Sequence, residues 1–532
     1  MSALDERPVA EVGADAAPTA VREGALVRGR RRLLAWLAVP DHLTALIVFA
    51  VALIIGAWNV EGAPPFQDDE GTYVAQAVAV QNGALAPYTY WYDHPPFGWI
   101  QLAGLLWIPQ FLGLGGGSDI GAMRYVSAGL FALTSMLVYL VARRVGAYRP
   151  FAILATAIFV LSPLSLTLGR QVFLDTVGMP WILLAFYLAL SPRRALWHHV
   201  GAGAAFAVAV LSKLTLAVFG PALLVALLGR SRWGSRTFSV VGFLGVGGLI
   251  LALFPVMALL RGELIAGEGH VSLQDGLAYQ FLSRSGSGWI WEEGSSRYDL
   301  LQSWFFLDGY IVVAGLIAGL LCAFAGRTRW IPLALICFAL PIVGSQGYLP
   351  AMYIVAVLPF LALAIGGAAD LVWRGLMAFF RTHAPGARAT GPIFATLVIA
   401  AAAVLIPIEQ WIGRGIPLIS ADENRDWRDA RDWVTENVSR DDVVVVPYSM
   451  WQDVQAAGWE DPWQVIVLEK VDLDSQFQDE HPGGWSEIGW IVEGPTVAPN
   501  IDYLGLTQAG IALENSRVVA SFGAWNIREV LP

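Results

Sequence analysis

The sequence predicts a polytopic α-helical membrane protein that carries a small extracytoplasmic α/β domain at its C-terminal end. Three observations carry that prediction. Of 532 residues, 56% are hydrophobic and only 14% charged, a balance unlike that of soluble globular domains. Apolar windows of membrane-spanning length recur along the chain. Arginine clusters stand at alternate boundaries between those windows, the pattern of cytoplasmic loops. The formal net charge of -10 hides this segregation, because the C-terminal tail is acidic and the short loops are basic.

Residues 1–40 read as a disordered, basic cytoplasmic tail. The first part has no hydrophobic period, and Arg28, Arg30, Arg31 and Arg32 stand before the first span. No small-residue cleavage site follows that span, so it reads as an uncleaved anchor. The apolar windows fall near 42–60, 121–142, 150–168, 174–191, 199–213, 214–229, 237–260, 304–325, 330–346, 350–372 and 391–413. That makes about eleven crossings. Arg143 and Arg144, Arg193 and Arg194, Arg230, Arg232 and Arg236, Arg327 and Arg329, and Arg374, Arg381 and Arg388 then all fall on the cytoplasmic side. The N-terminus is expected inside and the C-terminal domain outside. Two short spans are expected to meet at Ser212-Lys213 without a polar loop.

A transmembrane domain is thus expected over 41–413, with outer loops 61–120 and 261–303. Residues 97–112 read as an interfacial helix with Trp99 and Trp107 near its ends, and loop 261–303 is long enough to cover a site. Residues 414–532 read as the α/β domain. Trp427, Ala430, Val434 and Val438 form a helical stripe, and DDVVVVPYS, WQVIVLEKV, EIGWIVE and RVVASFG read as strands. Cys322 and Cys337 sit in apolar runs and read as small buried hydrophobes.

Chemistry-bearing residues collect on the outer side. Asp68, Asp69 and Glu70 stand just beyond the first span, where carboxylates are costly unless used. Asp68 and Glu70 suit the first turn of a helix as caps. Asp69 shares a face with Tyr73, four residues on. His94-Pro95-Pro96 reads either as a rigid turn or as part of the site. Arg170 and Asp175 flank an apolar stretch: they either pair to hold helix ends or offer a phosphate-binding guanidinium and a second carboxylate. Lys213, one of only two lysines, either snorkels or binds an anionic headgroup. Tyr348 and Tyr353 suit an aromatic belt or a cradle for a polar lipid head. No Walker loop, dinucleotide fingerprint or Cys/His zinc spacing occurs, and nothing points to nucleic acid. Mid-span ionisable residues are scarce, which argues against a lipid or glycan transporter or flippase. A non-catalytic scaffold that binds lipid-linked sugars is the other alternative.

These pieces, in this order, resemble the membrane-embedded GT-C glycosyltransferases, nearest the branch of protein O-mannosyltransferases and lipid A aminoarabinose transferases. The matching motifs are D-E-x-x-Y at Asp69-Glu70-Tyr73, H-P-P at His94, R-x-x-x-L-D ending at Asp175, and the Lys213 segment. The resemblance covers roughly residues 40–375. It implies transfer of a hexose or pentose from a polyprenyl-phosphate donor to a hydroxyl of a glycan, glycolipid or protein acceptor, with inversion, on the outer face of the cell membrane. Asp69 would be the general base, with Glu70 and Asp175 beside it. Arg170 and Lys213, with Tyr348 and Tyr353, would hold the donor phosphate. Asp68, Tyr73 and His94 would position donor or acceptor. Asp68 remains an alternative base, and a divalent cation on Asp69, Glu70 and Asp175 is left open.

Overall fold

The computed structural model describes residues 40–267, 269–283, 286–344, 347–383 and 390–531. The N-terminal tail and its arginines, and Arg388, lie outside the described residues. Most described residues are helical. Among the described residues four helices are long and apolar enough to cross a membrane, or five if the bent pair Arg149–Leu161 and Pro163–Gly169 counts as one. Five further apolar helices are shorter, so length and composition alone leave the expected number of crossings open.

The helices that frame the site are α1 (Pro40–Ala57), α2 (Asp68–Gln81), α3 (Phe97–Phe111), α4 (Asp119–Arg144), α5 (Arg149–Leu161), α6 (Pro163–Gly169), α7 (Leu174–Ala189) and α8 (Leu196–Ser212). The start of α4 is capped by Ser118, whose hydroxyl accepts from the Gly121 amide at 3.1 Å. Asp119 in its first turn and Arg143 and Arg144 in its last both suit the helix dipole. Between α5 and α6 the chain bends by 63° at Ser162-Pro163, because proline cannot supply the amide that would continue the ladder. The stretch expected as a helix at 97–112 is helical as α3. It buries Trp99, Leu102 and Leu106 and leaves Trp107 and Phe111 exposed.

The expected junction at Ser212-Lys213 is real and abrupt. Lys213 has extended backbone (φ −152°, ψ 115°), followed by a 3-10 turn at Leu214–Phe219 and then α9 (Gly220–Arg230). After α10 (Arg236–Leu251) and α11 (Leu253–Leu260) comes the long loop expected at 261–303, with the short helix α12 (Leu273–Ala278). Its Glu263 accepts from the Tyr92 hydroxyl at 2.5 Å and from Arg261 at 2.6 Å, which ties this loop to the first one.

Two expectations shift. The span expected from 304 begins earlier, as α13 (Ser296–Cys322), and breaks at Asp308. That carboxylate is fully buried and accepts from the Ile311 amide at 3.1 Å and Trp411 Nε1 at 3.0 Å. It is an acid at a break in a long apolar helix, and its Trp411 partner lies 103 residues further along the chain. After α14 (Trp330–Val343) and α15 (Leu358–His383), the span expected at 391–413 is two helices, α16 (Thr390–Leu405) and α17 (Ile408–Ser420). The second runs through the boundary expected at residue 414. At the centre of the bundle the first half of α15 is buried on all sides, with Phe360 stacked on Phe219 at 4.5 Å. Cys322 is a buried free thiol and Cys337 a partly buried one.

The C-terminal part is a five-stranded sheet in the order β2-β1-β3-β5-β4. Its strands are β1 (Val444–Val446), β2 (Val465–Val467), β3 (Trp490–Glu493), β4 (Ser516–Phe522) and β5 (Trp525–Val530). The first three in space are parallel and the last two antiparallel. On one face packs α18 (Arg425–Asn437) through Trp427, Ala430 and Val434, the expected stripe. Trp427 is 1% exposed, and truncating such a residue costs about 3–5 kcal/mol. Phe66, between α1 and α2, meets the Trp427 ring edge-on at 4.7 Å, so the sheet domain and the helical bundle share one core.

Candidate active site

Two buried arginines shape the segment between α1 and α4. Arg124, on α4, is fully buried. It donates to the carbonyls of Val60, Pro64 and Pro65 at 3.1, 2.6 and 3.0 Å. Its other bonds go two-pronged to Glu70, Nε to Oε2 at 2.8 Å and Nη2 to Oε1 at 2.5 Å. Glu70 also accepts from the Val172 amide at 2.9 Å, Gln171 Nε2 at 3.2 Å and, closing the helix cap, the Gln67 amide at 3.1 Å. Desolvated charges persist only when matched this fully.

Arg170 is the second staple. It donates to the carbonyls of Ile55 (3.1 Å), Gly56 (3.1 and 2.9 Å), Ala63 (3.3 Å), Leu418 (2.8 Å) and Trp58. A guanidinium has five N–H donors, and these are spent on backbone at the end of α1 and of α17. Arg170, expected at the donor phosphate, here holds the loop with its donors on backbone. Glu70, expected beside the reaction, is here the anion of a buried pair. Asp68 faces away from both, accepting from the Ser449 amide at 3.1 Å and the Thr496 hydroxyl at 2.7 Å.

The remaining residues converge. Asp69 is exposed in the first turn of α2. Tyr73, on its face, is buried with its ring centroid 6.4 Å from that of His94. His94 Nε2 lies 3.0 Å from Lys213 Nζ, and Lys213 Nζ lies 3.9 Å from Asp175 Oδ2. With lysine as the only donor in that first contact, Nε2 accepts, so the imidazole is assigned as the Nδ1–H tautomer. Asp175 is fully buried, and neither carboxylate oxygen has a hydrogen-bond partner. The Tyr353 hydroxyl is also buried and unbonded, its ring stacked on Phe338 at 4.4 Å. Asp69 and Tyr353 both lie within electrostatic range of Asp175. Buried polar atoms left without partners call for an explanation, and where two lie close to a lysine and a histidine a ligand can supply the missing bonds.

Comparisons with known proteins bear on the fold that holds this cluster. The family model for dolichyl-phosphate-mannose-protein mannosyltransferases matches residues 93–259. The ArnT structure from Cupriavidus metallidurans bound to undecaprenyl phosphate superposes with a TM-score of 0.56 at 14% identity, covering 92% of this chain and 99% of that one. The oligosaccharyltransferase AglB from Archaeoglobus fulgidus, in complex with an inhibitory peptide and a dolichol-phosphate, gives 0.54 at 13% identity, over 91% and 74%. The fold is GT-C. A comparison with curated proteins gave no match.

Within this GT-C frame the matched segment includes His94, Asp175 and Lys213, while Asp68, Asp69 and Glu70 precede it. Tyr348 is 40% exposed in the strap between α14 and α15. Among the described residues no group of three or more His, Cys, Asp or Glu side chains could hold a metal ion. The cation left open on Asp69, Glu70 and Asp175 does not fit, because Glu70 is turned into its pair with Arg124. Sequence reading missed Arg124 and Gln171. The available signal for Arg124 was an arginine one turn inside an apolar span, too deep to be idle.

Proposed function

We propose that this chain is a glycosyltransferase of the outer membrane face that takes a sugar from a polyprenyl-phosphate donor and passes it to a hydroxyl acceptor. The observation that carries the reading is the Asp69–His94–Lys213–Asp175–Tyr353 cluster, buried charge without enough bonds beside an exposed carboxylate. It lies in a fold shared with a structure bound to undecaprenyl phosphate.

In this reading Asp69 takes the acceptor's hydroxyl proton as the oxygen bonds to the anomeric carbon. The bond from that carbon to the phosphate oxygen breaks on the opposite side, so the configuration inverts, and polyprenyl phosphate leaves with the electron pair. Lys213 meets the charge growing on the leaving oxygen in a place shielded from water, where such contacts count most. His94 and Asp175 hold Lys213 from two sides. Tyr353 and Asp175 offer unspent hydrogen bonds to sugar hydroxyls. The alternation of basic clusters along the sequence supports an N-terminus inside and a C-terminal sheet outside.

The test is reconstitution with synthetic polyprenyl-phosphate sugars, following release of polyprenyl phosphate. Asp69→Asn is expected to slow turnover by about 10²–10⁴-fold, and wild-type turnover in that variant would remove the general-base assignment. Extracted lipids from a deletion strain, compared by mass spectrometry, would name the sugar and acceptor.

A further inference from the structure

Open α/β sheets bind ligands outside the carboxyl ends of their parallel strands, where the chain connections diverge to either side. In the order β2-β1-β3-β5-β4 that crevice lies between β1 and β3. Here it is filled from within the chain. Beyond β1 come Tyr448 and Ser449, and beyond β3 comes Thr496. The Ser449 amide donates to Asp68 Oδ1 at 3.1 Å and the Thr496 hydroxyl to Asp68 Oδ2 at 2.7 Å. The sheet thus receives its carboxylate from α2 of the membrane part.

The approach is close. A Cβ on Gly71 would stand 2.0 Å from the Tyr448 carbonyl oxygen, so only glycine lets α2 lie against the end of β1. A second anchor secures the chain leading into α2. Asn424 accepts from the Phe66 amide at 2.8 Å and donates to the carbonyls of Glu61 and Pro64 at 2.9 and 3.0 Å. Between Asn424 on one side and Ser449 and Thr496 on the other, the first turn of α2 has little freedom.

We infer that Asp68 is a positioning residue: the C-terminal sheet grips it in the crevice at its topological switch point and so sets where the neighbouring Asp69 carboxylate stands. The sheet then serves the membrane site through this socket. The inference rests on the reading of Asp69 as the base. It also gives the three acids in a row separate places: Glu70 anchors to the helices and Asp68 to the sheet, on either side of Asp69.

Thr496 is exposed, so changing it leaves the folded core alone. Thr496→Val removes the donor to Asp68 and is expected to lower kcat by about 10- to 100-fold with donor KM within about twofold. Thr496→Ser keeps the hydroxyl and should restore kcat. Asp68→Ala should act in the same direction. Hydrogen exchange read by mass spectrometry should show the amides of residues 69–74 exchanging faster in Thr496→Val and Asp68→Ala, whether or not a sugar acceptor is known. Wild-type kcat and unchanged exchange in both variants, while Asp69→Asn is inactive, would overturn the inference. A raised KM at unchanged kcat would do so too, because Asp68 would then be a substrate contact. Wild-type turnover in Asp69→Asn would instead defeat the functional reading and leave the exchange result to judge the clamp alone.

Discussion

Two buried groups of charges lie close together in this protein and differ in one respect. Glu70 with Arg124, and Arg170 with its ring of carbonyls, have a partner for nearly every donor and acceptor. Asp175 has a lysine at 3.9 Å and no hydrogen bond. Both groups sit in motif positions that look alike in the sequence. The difference teaches that saturation separates frame from site. A saturated charge is fixed and closed to substrate, whereas an unsaturated one stores a desolvation cost that a ligand can relieve.

The largest break in that comparison comes from the saturated side. Glu70→Gln leaves Arg124 buried without its anion and should destabilise the protein by about 3–5 kcal/mol, seen as a lower Tm in detergent and poor yield. A Glu70→Gln protein with wild-type Tm and lost turnover would move Glu70 back into the chemistry. On the unsaturated side, Lys213→Met should slow sugar transfer by about 10²–10³-fold with little change in Tm. Unchanged donor use would leave Lys213 as a snorkelling side chain. Asp175→Asn should lower turnover by about tenfold and leave Tm equal or slightly higher, since it removes a buried charge that lacks bonds. A large fall in Tm there would erase the contrast with Glu70.

That contrast also marks how far sequence could go. The helical stripe of Trp427, Ala430 and Val434, the break at Lys213 and the gathering of acids and His94 on one face follow from local period and charge pattern. Those signals act within a few residues. What decides between Arg170 as staple and Arg170 as phosphate ligand is the set of carbonyls it meets at Gly56 and Leu418, which no local pattern encodes. The same holds for Asp68, whose partners Ser449 and Thr496 belong to another part of the chain. Strand β5 was missed for a smaller reason. Its mixed polar pattern is weak, yet Gly523 in the left-handed region (φ 57°) marks the hairpin turn that pairs it with β4.

Glu469 is the intermediate case and gives the smallest and most specific effect. One of its oxygens accepts from Asn500 Nδ2 at 3.1 Å while the other is buried without a bond. Burial raises its pKa to about 7, with the Asp68 charge adding in the same direction and Lys470 opposing. Tyr448 is the other titratable neighbour that senses it. A carboxyl whose folded pKa exceeds its unfolded value of about 4.3 keeps its full stabilising share below that value. It loses the share as pH rises through about 7. Docking of the C-terminal sheet should therefore be firmer at pH 5 than at pH 8. Asp453, also raised by burial, to about 6, pushes the same way, so the wild type alone does not isolate Glu469. Glu469→Gln does: thermal unfolding followed by tryptophan fluorescence should give variant and wild type similar Tm at pH 5, with the variant higher at pH 8. Equal Tm shifts between the two pH values in both proteins would mean that Glu469 carries no buried charge cost, and that saturation is the wrong scale on which to place it.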